Sequence, residues 1–95
     1  LRARLAEFDS LVELEVRQRR LDVDAGRAAA RAAADGVRSA AEARRVLGER
    51  FAAGVATSTD VLDAEVALLQ AELDRARSLA AVRVAEARLA RALGR

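Results

Sequence analysis

The sequence predicts an all-α fold, a long antiparallel αα-hairpin with coiled-coil character. Three observations carry that expectation. Apolar residues recur at three- and four-residue spacing over most of the chain, the period of a helix face. The clearest break is one short cluster, "AAGVATSTD" at residues 52–60, which combines a glycine with hydroxyl residues and an aspartate. A connection that short forces the flanking helices to run antiparallel.

The first helix is expected over about residues 1–52. Leu1, Leu5, Phe8 and Val12 form one row, Leu11, Leu14 and Leu21 a neighbouring one, and Val37, Ala40, Ala41, Leu47 and Phe51 a later stripe. Opposite charges four residues apart, Glu13 with Arg17, Glu15 with Arg19, Arg31 with Asp35 and Arg38 with Glu42, suit its polar face. Gly26, Gly36 and Gly48 weaken it, because glycine costs a helix about 1 kcal/mol relative to alanine. Turns at "DAG" and "ADG" would instead give a bundle of three or four helices. Neither glycine is followed by proline or by a group of turn residues, and the expectation is a helix that continues through them. About 50 residues at about 1.5 Å each would make a rod near 75 Å long.

The turn is expected at 53–58. Gly54 suits the left-handed conformation just past a helix C-terminus. Thr57 reads as the N-cap of the second helix, with Asp60 positioned to complete a capping box. Asp60 and Asp63 place negative charge at the positive end of that helix's dipole. Helix 2 is expected over about 59–93, with Leu62, Val66, Leu69, Leu73, Ala76 and Ala80 as its seam and Gly94 as its stop. A second apolar row, Leu79, Val82, Leu89 and Leu93, leaves that seam. A helix apolar on more than one side needs more than one neighbour. Self-association, for instance as a four-helix dimer, is expected of the isolated chain.

Composition limits what such a hairpin can do. Of 95 residues, 53% are apolar, but 25 are alanine and only two phenylalanine, so any core is shallow. A chain this small is expected to need partner chains to bury enough surface. Cysteine and histidine are both absent, which removes zinc and copper sites and the usual nucleophile–base sets. No catalytic residue, metal site or cofactor is expected. Arginine is the sole cation, interleaved with acids to a net charge of +2. The densest basic run, "RQRR" at 17–20, has no aromatic beside it to stack on a base, so a nucleic-acid role has little support. No apolar run reaches the roughly 18 residues of a membrane span, and the opening residues lack the layout of a targeting signal. The chain opens on Leu1 rather than methionine, which reads as a fragment or a processed product.

The stretch "RFAAGVATSTDVLDAEVALLQAELDRARSLAAVRVAEARLARALG" resembles the TolC-like outer-membrane efflux protein family. The shared pattern is an aromatic, two residues, glycine, a threonine, then Asp-Val-Leu-Asp-Ala, a Leu-rich helix and a closing Ala-Leu-Gly. "LEVRQRRLDVDAG" upstream resembles the matching part of the preceding long helix, at the right distance from the turn. The resemblance implies a periplasmic hairpin of the second structural repeat of a trimeric efflux or secretion channel, part of an α-helical barrel in the intact protein. It implies an adaptor protein and an inner-membrane pump as partners, and an outer-membrane and periplasmic location reached through parts absent from this chain. By the same resemblance, Gly54, Val55 and Thr57 would form the adaptor-facing tip. Asp60 and Asp63 would form an acidic ring at the pore entrance. Phe51 and Ala56 stand where the family's namesake has the tyrosine and arginine that help latch its gate, which puts that latch in doubt here. The plainer reading of Asp60 and Asp63 is capping alone. The plainer reading of the whole chain is a generic coiled-coil interaction module with no membrane role.

Overall fold

The computed structural model describes residues 1–94. The chain forms two helices, α1 (Arg2–Ala52) and α2 (Ser58–Ala92), folded back on each other as a hairpin. Its extents of 79 × 16 × 14 Å are those of a rod two helices thick. The all-α hairpin is the fold the sequence predicts.

Helix α1 runs unbroken through Gly26, Gly36 and Gly48. Asp24 and Asp35 stand close before Gly26 and Gly36, but neither glycine is followed by proline or by a group of turn residues. Gly26 has a packing role: a Cβ built on it would lie 3.4 Å from Val82 Cγ2. The helices therefore come close at that level. A second contact, Arg44 to Glu65 at 2.9 Å, fixes the same register nearer the turn. In that register Ala92 lies level with Val16. Residues 1–15 of α1 consequently project beyond the end of α2, and all of them are exposed.

The buried seam follows a heptad on both helices, interrupted on α2 at the exposed Arg75. On α1 it comprises Val16, Arg19, Val23, Gly26, Ala30, Ala33, Val37, Ala40, Arg44 and Leu47, all half-buried or buried. On α2 it comprises Val61, Ala64, Leu68, Ala71, Ser78, Val82, Ala85, Leu89 and Ala92. Among the described residues only Val23, Ala64 and Val82 are fully buried, so the core is a line rather than a volume.

This seam corrects the one expected from sequence. Leu62, Val66, Leu69, Leu73, Ala76 and Ala80 are all exposed, and they point away from α1. Val82 and Leu89, expected on a second row, belong to the seam, whereas Leu79 and Leu93 are exposed. On α1, Leu1, Leu5, Phe8, Leu11, Val12, Leu14, Leu21, Ala41 and Phe51 are exposed, while Val37, Ala40 and Leu47 do face α2. The cause is size. Helix separation depends on the side chains at the contact, and alanine, glycine and serine allow the closest approach. Ranking faces by leucine content selects the opposite side.

Among the described residues, none of the four expected charge pairs forms. Arg38 pairs with Asp35 rather than Glu42. Arg45 takes Glu42, its Nε and Nη2 donating to the two carboxylate oxygens at 3.0 and 2.6 Å. Arg45 Nη1 also donates to Glu49 at 2.8 Å. Arg19 lies 3.6 Å from Asp22. Residues three apart share a helix face as well as those four apart, and the long guanidinium arm reaches either. The paired hydrogen bonds from Arg45, more than its charge, hold the Glu42 carboxyl below its ordinary value.

Candidate functional site at the hairpin tip

The reversal between α1 and α2 is built from two interlocking caps. Helix α1 ends in a Schellman motif. The Gly54 N–H donates to the Phe51 carbonyl at 3.0 Å, and the Val55 N–H reaches back to the Arg50 carbonyl at 2.9 Å. Gly54 has φ +78, the left-handed region that a side chain disfavours. A Cβ placed on it would meet nothing within 4 Å, so glycine is required here by backbone shape and not by crowding.

Helix α2 then opens with a complete capping box. The Thr57 hydroxyl accepts from the Asp60 N–H at 3.1 Å, and the Thr57 N–H donates to Asp60 Oδ2 at 3.0 Å. Two of the backbone N–H groups that a helix start leaves without partners are thereby satisfied. The backbone hydrogen bond from Thr57, followed by that of the Thr57 side chain, holds the Asp60 carboxyl below its ordinary value of 3.8. A hydrogen bond made to the charged form favours it.

Around this frame the tip presents a small surface. Gly54, Val55 and Thr57 are exposed, and Val55 has 73% of its area open to solvent. Asp60 and Asp63 lie one turn apart on the same side of α2, also exposed. Among the described residues neither forms an ion pair, so both carboxylates face water. Thr57 and Asp60 are thus joined by hydrogen bonds, with Asp63 one turn further along.

Sequence reasoning passed over a shallow depression beside the caps, lined by Phe51, Ser58, Thr59, Val61, Leu62 and Glu65. Phe51 is half-exposed at its edge. The available signal was an aromatic in the last turn of one helix opposite a Val-Leu pair in the first turn of the next. No group of three or more possible metal ligands occurs among the described residues. Among the same residues, no helix is long and apolar enough to cross a membrane.

A family model described as "Outer membrane efflux protein" matches residues 10–95. The match takes in both helices, the tip and the acidic pair. No curated protein and no solved structure matches the chain.

Proposed function

The chain belongs to the outer membrane efflux protein family, and on that premise we propose that it is one wall segment of the periplasmic tunnel of a trimeric efflux or secretion channel. Its tip would sit at the periplasmic entrance. There Gly54, Val55 and Thr57 would meet an adaptor protein that links the channel to an inner-membrane pump. Asp60 and Asp63 would line the entrance as part of an acidic ring.

The observation that carries this reading is the pair of opposed apolar faces on α2. One face, through Ala64, Leu68 and Val82, is covered by α1. The other, through Leu62, Val66, Leu69 and Leu73, lies on the far side of the helix and is exposed. A helix in a bundle turns its apolar residues to one centre. A helix in a single-layer wall has neighbours on its two flanks and needs both faces apolar. Family membership leaves the generic coiled-coil module without an observation in its favour.

The test is Gly54→Leu in the intact protein. The substitution forces a side chain into the left-handed backbone and adds bulk to the exposed tip. Drug export and site-specific crosslinking to the adaptor should both fall while channel abundance in the outer membrane is retained. Unchanged export with unchanged crosslinking would remove the tip from the adaptor contact.

A further inference from the structure

Between its two apolar faces α2 has two edges, and they carry different residues. On one edge Glu65 meets Arg44 of α1 at 2.9 Å. A groove on the same edge has Arg20, Arg27, Glu86 and Leu93 in its lining. The other edge begins at Asp60 and Asp63 and recurs every three and four residues, as the seam does, as far as Arg91. A stripe with that spacing keeps its place beside the seam along the whole coiled coil. Its residues are all exposed, and its charges are sorted by position. Asp60, Asp63 and Asp74 lie toward the tip, and Arg77, Arg88 and Arg91 lie away from it. The positions between them, Ala67, Gln70, Ala81 and Val84, are uncharged.

Helix α1 leaves this division in place. Between Asp22 and Arg50, the α1 positions that flank this edge are alanine, glycine, serine or valine. Arg50, at the tip end, offsets part of the acidic charge. At the other end, the register that sets Ala92 level with Val16 also sets Arg88 level with Arg20 and Arg91 level with Arg17. The densest basic run of the chain, "RQRR" at 17–20, therefore lies beside the two arginines. Asp22 is the acid of α1 on this edge near that level, and it is already engaged. It accepts a hydrogen bond from Gln18 Nε2 at 3.0 Å and lies 3.6 Å from Arg19 Nη1. Among the described residues, neither Arg88 nor Arg91 is in an ion pair.

We infer that Arg88 and Arg91 form a basic site for multivalent anions inside the tunnel, in series behind the acidic entrance. The inference rests on the wall reading proposed above: if Asp60 and Asp63 face the lumen, the rest of their edge faces it too. At about 1.5 Å per residue, Arg88 stands about 38 Å beyond Asp63. That is several times the roughly 8 Å over which physiological salt screens a charge. The two zones therefore act separately. Arg77 lies one turn from Asp74 and is offset by it, so the uncompensated charge sits at Arg88 and Arg91. Three copies would gather about six guanidinium groups at that level, and the planar guanidinium fork suits the oxygens of phosphate and carboxylate groups.

The test uses the intact channel in a planar bilayer. Tripolyphosphate added on the side opposite the tip should block the current. Arg88→Gln with Arg91→Gln should weaken that block by roughly tenfold or more, as expected when a charged ring is removed from a pore. Asp60→Asn with Asp63→Asn should leave the block in place. The chain has no cysteine, so the lumen edge can be located by single cysteines in a channel freed of any others. A membrane-impermeant charged thiol reagent should change the single-channel conductance of Ala81→Cys. It should react with Leu79→Cys, on the opposite edge, without changing the conductance. Both residues are exposed in the hairpin. A conductance change at Ala81→Cys with no tripolyphosphate block, or with a block that the arginine changes leave intact, would overturn the basic site and leave the wall reading standing. A change at Leu79→Cys instead, or at neither position, would overturn the site together with the lumen-facing placement of Asp60 and Asp63.

Discussion

At the scale of single residues, the tip depends on two positions that do different work. Gly54 supplies a backbone angle, φ +78, with open space around it. Gly54→Ala should therefore cost about 1 kcal/mol through backbone strain alone, and Gly54→Asn less, as a drop in thermal midpoint would register. Thr57 supplies an acceptor. Thr57→Ala removes the hydroxyl from the Asp60 N–H and should cost about 1 kcal/mol, whereas Thr57→Ser should cost little. The Asp60 carboxyl is held below 3.8 by its hydrogen bonds to Thr57. A depressed folded value means that the stabilisation is present above the unfolded value and is lost as pH falls through the folded one. Acid titration of the hairpin should show Asp60 protonating below 3.8, and Thr57→Ala should move it only part of the way back, because the larger contribution, the backbone N–H of residue 57, remains. A cap without electrostatic effect would leave that titration unchanged by the substitution.

At the scale of the helices, Gly36 and Gly26 of α1 separate by what surrounds them. A methyl group on Gly36 would meet nothing within 4 Å, so Gly36→Ala should raise stability by about 1 kcal/mol through helix propensity. A Cβ on Gly26 would lie 3.4 Å from Val82 Cγ2. Alanine fits there at ordinary contact distance, but Gly26→Leu should splay the hairpin, seen as loss of the Arg44–Glu65 pairing and of cooperative melting. The same contrast explains how much the sequence disclosed. The caps were legible because each is a short run of adjacent residues, Arg50 to Val55 and Thr57 to Asp60, whose geometry is local. The seam was not, because it depends on which faces two distant segments turn toward each other. Ala64, Ala71 and Ser78 carry little hydrophobic signal, yet they permit the close approach that the longer Leu62, Leu69 and Leu73 prevent. The ion pairs failed for a related reason. Arg38 had Asp35 on one side and Glu42 on the other, and the choice between them depends on rotamers rather than spacing; Arg45, on both of whose sides an acid lies, takes Glu42 and Glu49 together.

At the scale of the whole molecule, the cap role of Asp60 and the ring role proposed for Asp60 and Asp63 can be separated. As a cap, Asp60 needs only one hairpin. As a ring, Asp60 and Asp63 need the hairpins of an assembled channel, where a trimer would gather up to about six carboxylates around a narrow opening. Such a ring attracts cations and excludes anions, as other charged filters do. Replacing both with asparagine tests the two roles together, since an asparagine at 60 can still accept from the Thr57 N–H. The thermal midpoint of the hairpin should barely move. In the intact channel, reconstituted in a planar bilayer, cation selectivity and blockade by multivalent cations should both weaken. The pH dependence adds a second reading. Hydrogen bonding from Thr57 favours the charged form of Asp60, whereas crowding of like charges in a ring favours protonation. If crowding prevails in the assembled entrance, wild-type selectivity should fade as pH falls toward and below the ordinary carboxylate range, and the fade should begin at higher pH than protonation of Asp60 in the free hairpin. A double mutant with wild-type selectivity and blockade would leave the aspartates with the cap alone.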